Sequence, residues 1–477
     1  MPRLIVVSNR VASFGKDKAD TGGLATALKA ALGDHGGIWF GWSGEVVDHT
    51  PGPPQIEEHG QITRATIDIK KHDFTGFYAG FANSALWPLL HYRTDLVQYS
   101  SNDYSAYQRV NGHFAEELLG LLRPDDVIWV HDYHLFPLAK RLRELGAHHR
   151  IGFFLHTPFP PWQVMSTLPV HQELAESLQA YDLIGTQTED DATSMREFLS
   201  KELNVSFSGD ECQNSPSRLR VRAFPISVDV EAISTQAART VRSVQSQGIL
   251  KSLQDRALVI GVDRLDYTKG LLQRIEAVHR FLELWPERLR EVSFLQIAPP
   301  SRDQVPEYRR LRSAVEEAVG RLNGQYAEFD SVPVKYLCRS FAQSTLFGFY
   351  RAASVGLVTP LRDGMNLVAK EYVACQNSQD PGVLVLSSFA GAAKELDAAL
   401  IVNPHDAEGV AHAIRKALDM KLEERIDRHS ALMAKLRSND LENWRTNYMR
   451  ALLTKTHEAV VRRLTPNKRD LLAVAPG

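Results

Sequence analysis

The sequence predicts an α/β protein made of two doubly wound, Rossmann-like domains that face each other across a central cleft. Two observations lead there. Short runs of Val, Ile, Leu and aromatic residues recur along the chain, each followed by a polar turn and then by a stretch with helical spacing. At 477 residues the chain is too long for one simple core, and the strand–helix rhythm pauses in the polar, helical stretch Ser234 to Gln254 before it restarts. This division gives an N-terminal domain at 1–235, a C-terminal domain at 236–450 and a helical tail at 451–477 expected to pack back on the first domain.

Composition narrows the function classes. Hydrophobic content of 44% and charged content of 23% are those of an ordinary globular protein. A formal net charge of −2 argues against a general nucleic-acid surface. Cys212, Cys338 and Cys375 are odd in number and far apart, which fits a reducing compartment and neither a disulfide framework nor a zinc site. The apolar run Leu4-Ile-Val-Val7 is too short for a signal sequence, and no run approaches the ~20 residues of a spanning helix. The expectation is a cytoplasmic protein with neither nucleic-acid nor membrane partners.

In the first half, Leu4-Ile-Val-Val7 reads as a buried strand ended by Ser8-Asn-Arg10. Gly22 and Gly23 then open a helix; they would let a backbone approach an oxyanion closely, and they would equally serve a simple turn. Ile38 to Gly44 is a short aromatic strand. Phe77 to Arg93 is dense in aromatics, including Tyr78 and Trp87, which suits either the C–H faces of sugars or a core hairpin. Asp126 to His134 reads as a strand carrying polar groups at its C-terminal end, the edge where open α/β sheets bind ligands. Alternation would put Asp132 and His134 on one face and His131 on the other, with no third ligand nearby, so no metal is expected. Ile151 to Pro160 repeats the pattern with His156 at the strand end. Tyr181 to Thr188 is a further strand before an acidic helix start, and Arg222 to Asp229 closes the half.

In the second half, Ala257 to Leu271 restarts the pattern. Arg264 and Lys269 lie between a strand and a helix start near Gly270, where two cations would neutralise a diphosphate or simply sit on the surface. Val292 to Arg302 and Val334 to Cys338 are further strands. Ser354 to Thr359 is a buried strand, followed by the polar turn Arg362 to Asn366, in which Gly364 is free to take a positive φ. Asn366 is an N-cap for a helix through Leu367, Val368, Tyr372 and Val373, and such a terminus suits phosphate. Glu371, one turn in, is placed to accept from a sugar or ribose hydroxyl, unless this is a plain βα unit with Glu371 in solvent. Gly382 to Ser388 and Leu400 to Asn403 complete the sheet, and Glu408 to about Arg463 is helical with alternating charge.

The polar groups form two sets. Gly22, Gly23, Arg264, Lys269, the turn before Leu367 and Glu371 suit a nucleotide diphosphate; Arg10, Tyr78, Trp87, Asp132, His156 and Arg302 suit a phosphorylated sugar. No P-loop, dinucleotide fingerprint or Gly-x-Ser-x-Gly elbow is present. From Ser8 to about Asn403 the chain resembles the trehalose-6-phosphate synthase family, the retaining glycosyltransferases of family 20. The resemblance is carried by Gly41-Trp-Ser-Gly44, Leu86-Trp-Pro88, His131-Asp-Tyr-His-Leu135, Phe154-Leu-His-Thr-Pro-Phe-Pro160, Arg264-Leu-Asp-Tyr-Thr-Lys-Gly270 and Arg362 to Glu371.

The resemblance implies a GT-B fold, glucose transfer from the co-substrate UDP-glucose to glucose 6-phosphate, no metal or other cofactor, a homo-oligomer (dimer or tetramer) and a role in trehalose biosynthesis and osmoprotection. It implies that Arg10, Tyr78 and Arg302 hold the acceptor phosphate, with Trp42 nearby. Asp132 would bind acceptor hydroxyls, and Trp87 with His156 would bear on the sugars and the anomer chosen. Gly22, Gly23, Arg264 and Lys269 would grip the donor diphosphate, Phe341 would meet the uracil through its backbone, and Asp363 would reach the donor glucose. Gly364, Met365, Asn366, Leu367, Val368, Ala369, Lys370 and Glu371 would complete the donor site, with Asp132, His156, Arg264, Lys269 and Asp363 carrying catalysis. A relative using glycerol 3-phosphate or a cyclitol as acceptor, another nucleotide base, and a catalytically silent UDP-sugar sensor are the competing readings.

Overall fold

A computed structural model describes residues 2–12, 28, 32–33, 36–214, 219–302, 304–329 and 331–454. Two sheets organise the chain. The first contains β1 (Leu4–Arg10), β2 (Gly37–Val47), β3 (Gln55–His59), β4 (Ile62–Lys70), β5 (Val127–His131), β6 (Arg150–Phe154), β7 (Leu183–Thr186), β8 (Ser206–Ser208), β9 (Glu211–Gln213) and β10 (Arg220–Ala223). Its order is β3-β4-β2-β1-β5-β6-β7-β10-β9-β8, with the central run from β4 to β10 parallel. The second contains β11 (Ala257–Val262), β12 (Val292–Ile297), β13 (Val334–Leu337), β14 (Val355–Val358), β15 (Val383–Ser387) and β16 (Leu400–Val402), all parallel in the order β13-β12-β11-β14-β15-β16.

Each sheet reverses direction beside its first strand, between β1 and β5 and between β11 and β14. Ligands bind at such switch points, beyond the C-terminal strand ends. The strands read as continuous apolar runs because helices cover both faces; β5, β12, β14 and β15 are buried at every position.

Three expectations about elements change. The aromatic stretch after Phe74 is helical, a wide-turn helix Thr75–Leu86 running into Trp87–Leu90, because Phe77, Phe81, Ala85 and Leu89 turn one face into the core. β3 and β4 extend the first sheet where no strand was expected; every residue of β3 is exposed, so it carries no apolar pattern. β5 ends at His131, so the alternation expected to place Asp132 with His134 stops there.

The chain passes between domains twice. Helices Val230–Thr240 and Val244–Leu253 follow the first passage. After helix Leu422–Ser438, helix Leu441–Leu453 returns to the first sheet, where the Tyr448 hydroxyl donates to the Phe153 carbonyl at 3.0 Å. Gly152 makes the close approach possible, since a Cβ there would lie 2.4 Å from the Tyr448 hydroxyl. The expected tail lies outside the described residues from 455 onward. No described helix is long and apolar enough to cross a membrane.

Candidate active site

The two switch points face each other across a cleft of about 690 Å³. From the first domain come Tyr78, Trp87, Asp132 and His156; from the second come Arg264, Lys269, Arg302, Phe341, Asp363, Met365, Asn366, Leu367, Val368 and Glu371. Members of both sets expected from the sequence therefore meet in one cavity. Gly22 and Gly23 lie outside the described residues.

The second domain's half is a loop after β14 leading into helix Leu367–Cys375. Asn366 caps the helix, its side chain accepting from the Ala369 amide at 3.2 Å, and Leu367 and Val368 line the cleft at the first-turn positions whose amides have no acceptor within the helix. Asn366, not Gly364, takes the positive φ, at 73°. Gly364 is needed for a different reason: a Cβ there would fall 2.1 Å from the His156 carbonyl oxygen, so the loop presses against the strand end of the opposite domain. Ala369 is fully buried and away from the cavity lining. Lys370 also departs from the expected donor set, because its side chain is buried away from the cleft, donating to the Ile226 carbonyl at 2.8 Å and pairing with Glu395 at 2.5 Å.

Two cations converge beside this loop. Gly270 takes a φ of 65° between the turn Tyr267–Lys269 and the next helix, turning Lys269 back so that its Nζ lies 2.5 Å from Asp363 Oδ2. Burial alone would raise the Asp363 pKa, but the Lys269 charge and hydrogen bond, with His91 and Asn366, outweigh it and hold the carboxyl ionised. Asp266, which the sequence left without a role, lies fully buried where Arg264, Arg302 and Lys269 meet. Burial opposes its ionisation, yet those three cations hold its pKa down. It stands between Arg264 and Lys269 in the chain, but nothing in a sequence shows that it would accept from Arg302 at 3.3 Å, far along the chain.

Trp87 is the platform between the halves, with the Arg302 guanidinium 3.9 Å and the Arg264 guanidinium 4.8 Å from its ring centroid. Arg302 also donates to the Tyr133 hydroxyl at 3.2 Å. Tyr78 stacks on His134 at 5.9 Å and packs against Trp42 at 6.2 Å, and the Arg10 guanidinium lies 5.6 Å from the Trp42 ring. Arg10 and Trp42 thus stand behind Tyr78 and do not line the cavity themselves.

Asp132 has φ 76° and ψ 161°, a conformation nearly confined to glycine. Its amide donates to the Phe154 carbonyl at 2.9 Å and its Oδ1 accepts from the His156 amide at 3.3 Å, which over-determines the strained backbone. Burial lifts its pKa to about 6 against the pull of the Tyr133 and His156 amides and of Arg302 and Arg264. Burial also lowers His156 and His134 to about 3 and His91 to about 4, so all three rings are neutral near pH 7. His131 Nδ1 and His156 Nε2 are 3.1 Å apart, so one ring donates to the other. Glu371 accepts from Gln343 Nε2 at 3.0 Å, and burial pushes its pKa up to about 7. Among the described residues no three His, Cys, Asp or Glu side chains gather into a metal-holding group.

Comparison with known proteins decides the family. The family model described as Glycosyltransferase family 20 matches residues 3–454. The chain belongs to glycosyltransferase family 20. This family 20 chain is 46% identical over 456 residues to the trehalose-6-phosphate synthase of Sinorhizobium fredii, covering 95% of this chain and 98% of the relative. It is similar to the crystal structure of a UDP-forming α,α-trehalose-phosphate synthase from Burkholderia xenovorans in complex with glucose 6-phosphate, with a TM-score of 0.92, 47% identity and coverage of 95% and 100% of the two chains. An Escherichia coli structure bound with UDP-2-fluoro glucose matches with a TM-score of 0.89 at 42% identity, covering 95% of this chain and 99% of that one. The fold is that of the GT-B enzymes of this family.

Proposed function

We propose that the cleft transfers glucose, with retention of configuration, from UDP-glucose to glucose 6-phosphate, giving α,α-trehalose 6-phosphate and UDP. One observation carries this reading: a helix terminus with Arg264, Lys269 and Arg302 faces, across one cavity, a sugar-sized wall of Tyr78, Trp87, Asp132 and His156. The names of the relatives, and the two ligands in the structures it resembles, point the same way.

In this reading the domain of the first sheet, residues 1–229 with helix Leu441–Leu453 packed on it, holds the acceptor, and residues 230–440 hold the nucleotide sugar, in place of the expected boundaries at 235 and 450. Arg302 and Tyr78 hold the acceptor phosphate, Arg302 in the bidentate manner of a guanidinium, and Asp132 accepts from acceptor hydroxyls; Arg10, behind Tyr78 on the Trp42 ring, adds its charge from outside the lining. Glu371 accepts from the ribose hydroxyls, and Phe341 borders the base. As UDP departs, charge grows on the β-phosphate; Arg264, Lys269 and the amides of Leu367 and Val368 are oriented to receive it, and Asp363 positions both Lys269 and the donor glucose. The neutral His156 hydrogen-bonds and shapes the site without adding charge. A metal-free reaction, a homo-oligomer and a cytoplasmic setting belong to the same proposal. The test is a donor-by-acceptor activity matrix with the product identified by NMR. UDP-glucose with glucose 6-phosphate should give the α,α-linked product, and transfer only to another acceptor, such as glycerol 3-phosphate, would refute the reading.

A further inference from the structure

A second concavity, of about 380 Å³, shares no lining residue with the catalytic cleft. It lies between β10 and helix Leu441–Leu453, and its charged lining is entirely cationic: Arg220, Arg222 and Arg450. All three are held by neutral groups. Arg220 donates to the Ala451 carbonyl at 2.5 Å, Arg222 packs 5.5 Å from the Phe224 ring centroid, and Arg450 donates to Asn447 Oδ1 at 3.4 Å. Among the described residues no carboxylate pairs with any of them. Three guanidiniums in one concavity repel one another unless an anion joins them, and the planar forks match phosphate or carboxylate oxygens.

A separate observation lies in the wall of the same pocket. Trp444 lines the pocket, is 1% exposed, and its indole N–H has no partner among the described residues. Buried indole N–H groups almost always find an acceptor. The volume suits a small metabolite. The chain after Thr454 is a poor counter-ion, since residues 455–477 carry five Lys or Arg against two carboxylates.

The position gives the pocket a consequence. Phe224 and Pro225 belong to the first passage between domains, and Asn439 and Trp444 to the second, so one ligand would touch both connections. Asn439 already bridges them, donating to the Pro225 carbonyl at 3.3 Å and to Glu395, the partner of Lys370, at 2.7 Å. Trp444 continues from the pocket to the catalytic side, with ring centroids 5.1 Å from Phe154 and 6.5 Å from His156.

We propose that this pocket is a regulatory site for a small multivalent anion, a phosphate ester or a dicarboxylate, held by Arg220, Arg222 and Arg450 at the two passages between the domains. Binding there alters the approach of the domains and hence turnover.

The test uses the full chain saturated with UDP and glucose 6-phosphate, so that the cleft is filled. Inorganic phosphate in one arm and succinate in another are titrated by calorimetry. Binding of phosphate alone, or of both probes, supports the site and separates a phosphate ligand from any dianion. The doubly substituted Arg222→Ala, Arg450→Ala protein should keep its melting temperature and its anion-free rate, and should bind the probe about 100-fold more weakly, about tenfold for each guanidinium removed. The anion's effect on kcat should vanish in that variant. Absence of saturable binding, equal affinity in the double variant, or a bound anion that changes neither kcat nor KM would overturn the proposal.

Discussion

Gly364→Ala isolates the contact that brings the two half-sites together. An added Cβ would sit 2.1 Å from the His156 carbonyl oxygen and 3.0 Å from the carbonyl carbons of His156 and Thr157, all backbone atoms that no rotamer change can move. Carbon contacts do not fall below 3.0 Å, so the loop and the strand end must part by at least about 0.9 Å. A displacement near 1 Å between reacting groups costs on the order of 10²-fold in rate, and overpacking costs about 1–3 kcal/mol of stability. UDP release should therefore show kcat reduced about 100-fold with a melting temperature only a few degrees lower. Gly320→Ala is the control, because nothing lies within 4 Å of a Cβ there, inside helix Pro306–Tyr326. It should leave kcat unchanged and stabilise by about 0.5–1 kcal/mol. A Gly364→Ala enzyme with kcat within threefold of the parent would refute the claim that this contact sets the working distance.

Other outcomes follow from the same geometry. Lys269→Ala should lower kcat about 10²-fold while leaving the donor KM less affected, since it removes a transition-state donor; an unchanged rate in steady-state kinetics would remove Lys269 from the mechanism. Asp266→Asn should destabilise by about 3 kcal/mol in urea unfolding, because it leaves Arg264, Arg302 and Lys269 converging without their buried counter-charge. For Glu371 the folded pKa of about 7 lies above the ordinary 4.5, so the folded state keeps a proton that the unfolded chain releases. Its contribution to stability is thus fullest below about pH 4.5, declines as pH rises to about 7 and then levels off. The ionised form is the better acceptor for a ribose diol, so the donor KM should rise as pH falls below 7, and Glu371→Gln should flatten both dependences; an unaltered profile in that variant would exclude the assignment.

Much of this architecture is local and therefore legible in the chain. The apolar runs of β1, β5, β6, β11, β12, β14 and β15 announce parallel strands because helices bury both faces, and Asn366 announces its cap because the acceptor and the amide it serves are three residues apart. The exposed β3 carries no such pattern, and the helical Thr75–Leu86 was obscured by aromatic residues that favour strands as readily as helices.

The residue types of both half-sites could be read in order along the sequence, since each follows a strand at the switch point of its own sheet. Their partners could not. Asp266 beneath Arg302, Gln343 on Glu371, and Lys370 turned away to Ile226 and Glu395 are contacts between residues distant in sequence; the first two and the Glu395 pair exist only once the second sheet has assembled, and the Ile226 contact only where the chain passes between the domains. Gly364 shows the division most clearly. Its lack of a side chain is evident from the sequence, but the reason is not a positive φ in its own loop. It is the carbonyl of His156, brought against it by the opposite domain, and only the tertiary structure supplies that neighbour.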